Sequence, residues 1–225
     1  MIRLFDILFA GLALLFLVPI FLPIMLILRF SGEGEIFFFQ ERVGKDKKVF
    51  RLYKFATMLK NSASIGTGTV TMKNDPRILP IGKFLRKSKI NELPQLLNIF
   101  FGDMSVVGPR PQTQSCFDAF PQSAQNIIIK IKPGLSGIGP IIFRAEEDIL
   151  EGHIGTLDFY NNVIAPYKGE VESWYINKQS LKMYFSLISL TVFVILFPKS
   201  QLVWKIFRDL PTPPNDLKSE LNYPF

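Results

Sequence analysis

Ile7 to Leu28 is a run of 22 residues without a charge, and it limits this chain more than any other stretch. A helix of about 20 apolar residues crosses the hydrocarbon core of a bilayer, so a membrane is the first environment to consider. Arg3 and Asp6 precede the run and Arg29 follows it. It is longer than the apolar part of a cleaved signal peptide, and no small-residue cleavage site follows it. Pro19 and Pro23 lie just past its middle. Proline removes a backbone donor and its ring clashes with the carbonyl four residues back, which predicts a kink near residues 15–19. Two arrangements fit: a kinked single span, which the sequence by itself favours, and a re-entrant hairpin that enters and leaves by one face. Basic residues at both ends choose no orientation.

The remaining length suits one globular domain. A net charge of +7 on a chain whose hydrophobic share is 48% directs attention to nucleic acid, anionic headgroups or phosphorylated ligands. No zinc-finger or RNA-binding signature is present, and basic residues do not alternate with aromatics in any stretch. Membrane plus phosphate is therefore the reading carried forward, with no nucleic acid. One cysteine, Cys116, excludes an intrachain disulfide framework and a cysteine metal cluster. One histidine, His153, excludes a multi-histidine site.

Beyond the apolar run, Ile36–Arg42 and Lys48–Lys54 flank Gly44-Lys45-Asp46-Lys47 and predict a β-hairpin or two short extended segments. Phe55–Lys60 reads as a short helix, and Asn61–Asp75 as a Ser/Thr/Gly-rich mobile loop. Ile81–Lys89 predicts a basic helix. Ile90–Phe101 predicts a second, with Asn91 as its N-cap, Pro94 at the third helical position and Gly102 as its stop. Cys116–Ile131, Asp148–Val163 and Glu170–Phe197 also read as helices. The apolar part of the last, Met183–Phe197, is short for a span and suits a core or interfacial helix. Pro211–Pro214 opens a tail expected to be extended and partly disordered.

Three groups of residues could carry chemistry. Asn91-Glu92 at a helix start, with Arg86 just before, would place a carboxylate where backbone N–H groups and the dipole favour phosphate. Capping by Asn91 and dipole pairing by Glu92 explain the same residues without any ligand. Asp103 in Gly102–Ser105 precedes Gly108-Pro109-Arg110-Pro111, where flanking prolines pre-organise a guanidinium suited to phosphate oxygens; a tight turn with a solvated arginine is the plainer reading. Pro133–Gly137 is glycine-punctuated, which lets a backbone approach a ligand, yet its spacing matches neither a Walker A loop nor a dinucleotide fingerprint. Arg144 and the acidic run Glu146-Glu147-Asp148 follow it; that run reads as a solvated helix start.

Taken in register, these stretches resemble the bacterial sugar transferases of the small monotopic phosphoglycosyl transferase family. The resemblance rests on the apolar helix with Pro19, Phe39–Gly44 (FQERVG), Tyr53–Met58 (YKFATM), Asp75–Arg77 (DPR) and Gly82–Lys87 (GKFLRK). It continues through Glu92–Leu96 (ELPQL), Gly102–Ser105 (GDMS), Val107–Pro111 (VGPRP) and Pro133–Gly137 (PGLSG), over about the first two-thirds of the chain. It implies transfer of a sugar-1-phosphate from a UDP-sugar to a polyprenyl phosphate with Mg²⁺, releasing UMP, as the initiating step of surface glycan assembly. It also implies a re-entrant helix broken at Pro19, contact with membrane lipids, and a catalytic domain on the cytoplasmic face of the bacterial inner membrane. A homodimer is compatible with it.

By resemblance, an Asp-Glu pair does the chemistry, with the Asp as nucleophile and the Glu tied to the metal. Those positions are Asn91 and Glu92 here. Lys54, Arg86 and Arg110 fall on positions implied to bind phosphate or nucleotide, and Arg144 matches less closely. Ala56 replaces a usual basic residue, Gly137–Arg144 departs from the common pattern, and Val18 replaces a usual Ser before Pro19. An amide is a poor nucleophile, so three readings stay open. Glu92 or another carboxylate such as Asp103 attacks; the lipid phosphate attacks directly; or the chain is a catalytically silent relative that binds UDP-sugar or lipid and scaffolds glycan enzymes. The expected fold is mainly α with a small β-hairpin (α+β): a membrane helix over 1–30, a catalytic domain over 31–210 with interfacial amphipathic helices, and a Pro-rich tail over 211–225.

Overall fold

Backbone pairing and burial divide the chain differently from its linear motifs. The computed structural model describes residues 1–64, 75–151 and 156–224. Its elements run α1 (Ile2–Phe30), β1 (Phe37–Val43), β2 (Val49–Phe55), α2 (Pro80–Lys87), α3 (Gln95–Phe101), β3 (Ser105–Val107), α4 (Gln114–Asp118) and α5 (Gln122–Ile128). They continue with β4 (Gly134–Ser136), α6 (Ile138–Ile142), α7 (Glu146–Glu151), α8 (Thr156–Phe159), α9 (Ala165–Asn177), α10 (Leu181–Leu196), α11 (Leu202–Ile206) and α12 (Asn215–Lys218). The mainly helical expectation holds. Two compact units emerge: one of residues 4–41 and 51–102, the other of residues 1–3, 42–50 and 103–225. Much of the expected loop Asn61–Asp75 and the middle of the expected helix Asp148–Val163 lie outside the described residues, as does His153.

In the first unit, α1 is 29 residues long with Pro19 and Pro23 inside it. At 1.5 Å per residue that is about 44 Å, and the helix is long and apolar enough to cross a membrane. Its first half leaves Leu8, Leu12, Leu15 and Phe16 exposed. The second half turns Phe21, Ile24, Met25 and Leu28 onto a core shared with Phe37, Phe55 and Leu85. Phe21 meets Phe55 edge-on at 5.2 Å, and Phe37 stacks on Phe55 at 5.6 Å.

Strands β1 and β2 form the predicted hairpin. Its turn is built on Asp46 and Lys47, both left-handed at φ 57° and 60°. The short helix expected over Phe55–Lys60 is replaced by extended chain. Its donors and acceptors are taken across strands: Ala56 N–H reaches Ile36 O at 2.9 Å, Leu59 N–H reaches Arg77 O at 3.0 Å, and Leu79 N–H reaches Thr57 O at 2.9 Å. Propensity over six residues cannot compete with paired backbone on both sides. Asp-Pro-Arg closes this arrangement. Buried Arg77 gives Nε and Nη2 to both Asp75 oxygens, at 2.8 and 2.5 Å, and Nη1 to Ser62 O.

The second unit is helical around one short parallel pair. Strand β3 lies beside β4 with Ser105 opposite Gly134 and Val107 opposite Ser136. Pro121 interrupts the single helix expected over Cys116–Ile131, giving α4 and α5, because its ring excludes helical continuation. The helix expected over Glu170–Phe197 is likewise two. α9 ends at Asn177, and Ser180 starts α10 with its Oγ accepting Met183 N–H at 3.1 Å. Ser180→Ala should cost about 1 kcal/mol, read as a lower midpoint in chemical denaturation of the detergent-solubilised chain.

α10 buries Tyr184, Leu187, Leu190 and Val194 and exposes Val192, Ile195 and Leu196. The C-terminal segment is more ordered than its proline content suggests. Leu217 and Leu221 are buried, Trp204 Nε1 donates to Leu221 O at 3.2 Å, and Tyr167 donates to Pro211 O at 2.8 Å.

Candidate active site

The candidate residues fall into the two units. Pro19, Lys54, Arg86, Asn91 and Glu92 belong to the first; Asp103, Arg110 and Arg144 belong to the second. In the first, helix α2 rests directly on the chain at Thr57, because Gly82 has no side chain: a Cβ there would stand 2.2 Å from Thr57 O. This contact brings Arg86, in the last turn of α2, to Met58, with Nη1 3.9 Å from Sδ. The YKFATM and GKFLRK stretches are therefore one local structure.

Asn91 is not a helix cap. Lys89 turns left-handed at φ 59°, Ile90–Glu92 forms a single 3₁₀ turn, and α3 begins only after Pro94. The turn is held by Glu92 N–H to Lys89 O and Leu93 N–H to Ile90 O, both 3.1 Å. The N-cap reading fails because Pro94, which has no N–H to offer, takes the position before α3. With it goes the phosphate site at a helix start, since α3 is a seven-residue helix that begins beyond Glu92. Asn91 is instead buried, and its Oδ1 has no hydrogen-bond partner among the described residues. An unmet buried carbonyl costs about 1–3 kcal/mol, which marks the position as built for something other than stability. Glu92 beside it is half-buried.

Lys54 is half-buried on β2. Its strand is clamped by a residue the motif reading passed over. Asn98, fully buried on α3, accepts Tyr53 N–H at 2.9 Å and donates to Arg51 O at 2.8 Å. An amide set between Leu97 and Ile99 in an otherwise mostly apolar seven-residue helix was the available signal.

In the second unit the glycine-rich loops meet each other. Gly108 N–H donates to Ser136 O and Gly134 N–H to Pro109 O, both at 2.8 Å. A Cβ on Gly134 would lie 2.0 Å from Gly108 N, and one on Gly137 would lie 2.2 Å from Gly108 O. These glycines admit a neighbouring backbone, which corrects the expectation that they admit a ligand. The hairpin tip joins the same cluster through Arg42 Nη1 to Pro111 O at 3.2 Å and Val43 N–H to Gln112 O at 2.9 Å.

Arg110 is half-buried at this junction, and its peptide N–H donates to Glu172 Oε1 at 3.2 Å. Arg144, just after α6, donates to Val194 O on α10. Asp103 is exposed. Glu146, expected to be solvated, accepts both bonds from the buried Lys168 ammonium, at 2.9 and 3.0 Å. Lys168 also sits over the rings of Phe143 and Tyr160. Burial pushes the Tyr160 phenol well above its ordinary range. No group of three or more His, Cys, Asp or Glu suited to a metal ion occurs among the described residues.

The motifs of both units belong to one kind of transferase. A family model described as bacterial sugar transferase matches residues 1–198, and the chain belongs to that family. Among curated relatives, the exopolysaccharide production protein ExoY of Sinorhizobium fredii is 37% identical over 156 residues, 63% of this chain and 69% of that protein. A UDP-glucose:undecaprenyl-phosphate glucose-1-phosphate transferase of Klebsiella pneumoniae is 38% identical over 154 residues, 66% of this chain and 32% of its own length. Galactosyl transferase CpsE of Streptococcus agalactiae is 34% identical over 201 residues, 85% of this chain and 39% of its own. The chain thus spans about a third of the length of the longer relatives.

Proposed function

We propose that this chain transfers a sugar-1-phosphate from a UDP-sugar to a polyprenyl phosphate at a membrane face. Family membership and the activities for which the relatives are named support the reaction class. The observation that carries the site is the Asn91-Glu92 turn, where the buried Asn91 Oδ1 has no hydrogen-bond partner among the described residues and a half-buried glutamate follows it in sequence. In the reaction an oxygen of the lipid phosphate bonds to the β-phosphorus, the bond from that phosphorus to the bridging oxygen breaks, and UMP leaves with the bridging oxygen. Direct attack of this kind needs no protein nucleophile and so tolerates Asn91.

Within the first unit Arg86 and Lys54 are suited to phosphate oxygens, and within the second unit Arg110, with Arg144, is suited to phosphate oxygens. A Mg²⁺ ion fits the residues present. Mg²⁺ is bound through one or two carboxylates plus substrate phosphates rather than in a closed protein cage; Glu92 would supply that carboxylate, with Asn91 Oδ1, which has no hydrogen-bond partner among the described residues, as a further oxygen donor. When bound, the ion offsets the charge on the pyrophosphate.

Helix α1 seats the chain in the membrane by its exposed apolar side chains. A re-entrant course, with both ends cytoplasmic, is the topology we favour: α1 is one helix in this structure, and Pro19, which weakens it just past its midpoint, is where it would bend back. A tag at Met1 reachable only from the periplasm would defeat it.

Purified protein given Mg²⁺, undecaprenyl phosphate and a panel of UDP-sugars should release UMP with at least one donor. Glu92→Gln should lower that turnover by about tenfold or more, and unchanged turnover would remove Glu92 from the mechanism. A second reading, a silent relative that binds UDP-sugar and scaffolds other enzymes, is favoured by the amide at position 91. It prevails if no donor yields UMP while UDP-sugar binding is retained.

A further inference from the structure

Glu172 lies outside every motif that led to the site, yet its carboxyl meets the Arg110 loop from below. It sits on α9 and is 2% exposed. One oxygen, Oε1, accepts the Arg110 peptide N–H; the other, Oε2, has no hydrogen-bond partner among the described residues. Its bed is made by Gly139 of α6, where a Cβ would stand 2.1 Å from Oε1. A buried carboxyl with one unmet oxygen costs stability, so its presence under the Arg110 loop calls for a role.

We propose that Glu172 is a positioning residue: its charge state sets the Arg110 peptide, and through it the guanidinium offered to the phosphates of a nucleoside diphosphate. The inference rests on the proposed UDP-sugar reading for its last step only.

The surroundings let that charge change near neutrality. Burial raises the Glu172 carboxyl to about 7, against the opposing pull of the Arg110 N–H and of the Lys168 and Arg110 charges. Lys168 is one helical turn away on α9 and is itself engaged by Glu146. The π-helical turn Tyr160–Ile164 contributes Tyr160, which stays neutral. Helices α5 and α6, which also pack on α9, carry no titratable side chain. Above the midpoint the Arg110 N–H faces a carboxylate, a stronger acceptor than the neutral acid present below it. The loop is therefore held more firmly at higher pH.

The test uses full-length protein in lipid nanodiscs, labelled with ¹⁵N-arginine, the Arg110 amide being assigned by its loss in Arg110→Lys. Its resonance should move with pH about a midpoint near 7 and should stop moving in Glu172→Gln. In parallel, UDP-glucose, whose pyrophosphate gains no proton near neutral pH, should bind about fivefold more tightly above the midpoint than below it. Glu172→Gln should abolish that difference.

An Arg110 amide that does not titrate, or titrates unchanged in Glu172→Gln, overturns the proposal. So does titration of the amide with UDP-glucose affinity flat across pH. Complete lack of UDP-glucose binding, with the amide still titrating through Glu172, would sink the nucleotide reading while upholding Glu172's control of the peptide.

Discussion

Asn91→Asp is expected to give a burst of UMP without any lipid acceptor, one equivalent per protein, where the natural chain gives none. Position 91 lies in a 3₁₀ turn fixed by backbone bonds from Glu92 and Leu93, and Asp is nearly the same size as Asn, so the turn survives the change. What changes is the atom at the unmet Oδ1. A carboxylate oxygen can bond to the β-phosphorus as the bond to the bridging oxygen breaks, leaving an acyl phosphate on the protein and releasing UMP. An amide has its nitrogen lone pair delocalised and carries no negative charge, so it lacks this route.

If direct attack by lipid phosphate is the natural chain's route, restoring the carboxylate adds a second one. Its first turnover should be faster by on the order of a hundredfold, or about 2.7 kcal/mol of barrier. Rapid quenching with counting of UMP per protein, and intact-mass detection of the phosphosugar adduct, would measure it. A variant that binds UDP-sugar yet shows neither burst nor adduct would mean that position 91 does not face the β-phosphate. The change is not free for the fold: a carboxylate replacing a buried amide whose oxygen has no hydrogen-bond partner among the described residues should lower stability by about 1–3 kcal/mol when no ion is bound.

Position 91 shows how far sequence reaches here. The helix over Ile81–Lys89 and the stop at Gly102 were legible, because each rests on local chemistry: a basic apolar periodicity, and a left-handed residue at φ 103°. Asn91 followed by helix formers has the same local signature as an N-cap. The left-handed turn at Lys89, a residue with no special propensity for it, separated the two elements instead. The hairpin was legible from its turn for the same local reason, whereas Phe55–Lys60 was decided by partners at Ile36 and Arg77.

Gly134 and Gly137 are legible as close-approach positions, but sequence does not say that Gly108 is what approaches. Glu172 was not legible at all. Between Val171 and Ser173 it looks like an ordinary helical acid, and its burial depends on Gly139, far earlier in the chain. Lys168 is concealed in the same way, since a buried ammonium is recognisable only once Glu146 and two aromatic faces are seen around it.

Glu172 also sets the second large effect, a loss of stability with rising pH that Glu172→Gln should erase. The carboxyl's ordinary value is 4.5 and its value in the folded protein is about 7. Between those values the folded chain binds more protons at this site than the unfolded chain does. Stability therefore falls as pH rises from 4.5 to about 7, and the penalty is complete above 7. At about 1.4 kcal/mol per pH unit, this single group removes about 3 kcal/mol.

The direction is opposite to that of a salt-bridged surface acid, because desolvation is the leading cause and Lys168 is already engaged by Glu146. Glutamine keeps an oxygen for the Arg110 N–H but places an amide NH₂ where Oε2 lacked a partner. Its absolute stability gain at high pH is correspondingly smaller, and the slope against pH is the diagnostic quantity. Urea unfolding of both proteins in one detergent, at about pH 5 and about pH 8, separates them. The natural chain should lose about 2.5 kcal/mol more than the variant between the two, and parallel losses would show that Glu172 stays in one charge state throughout.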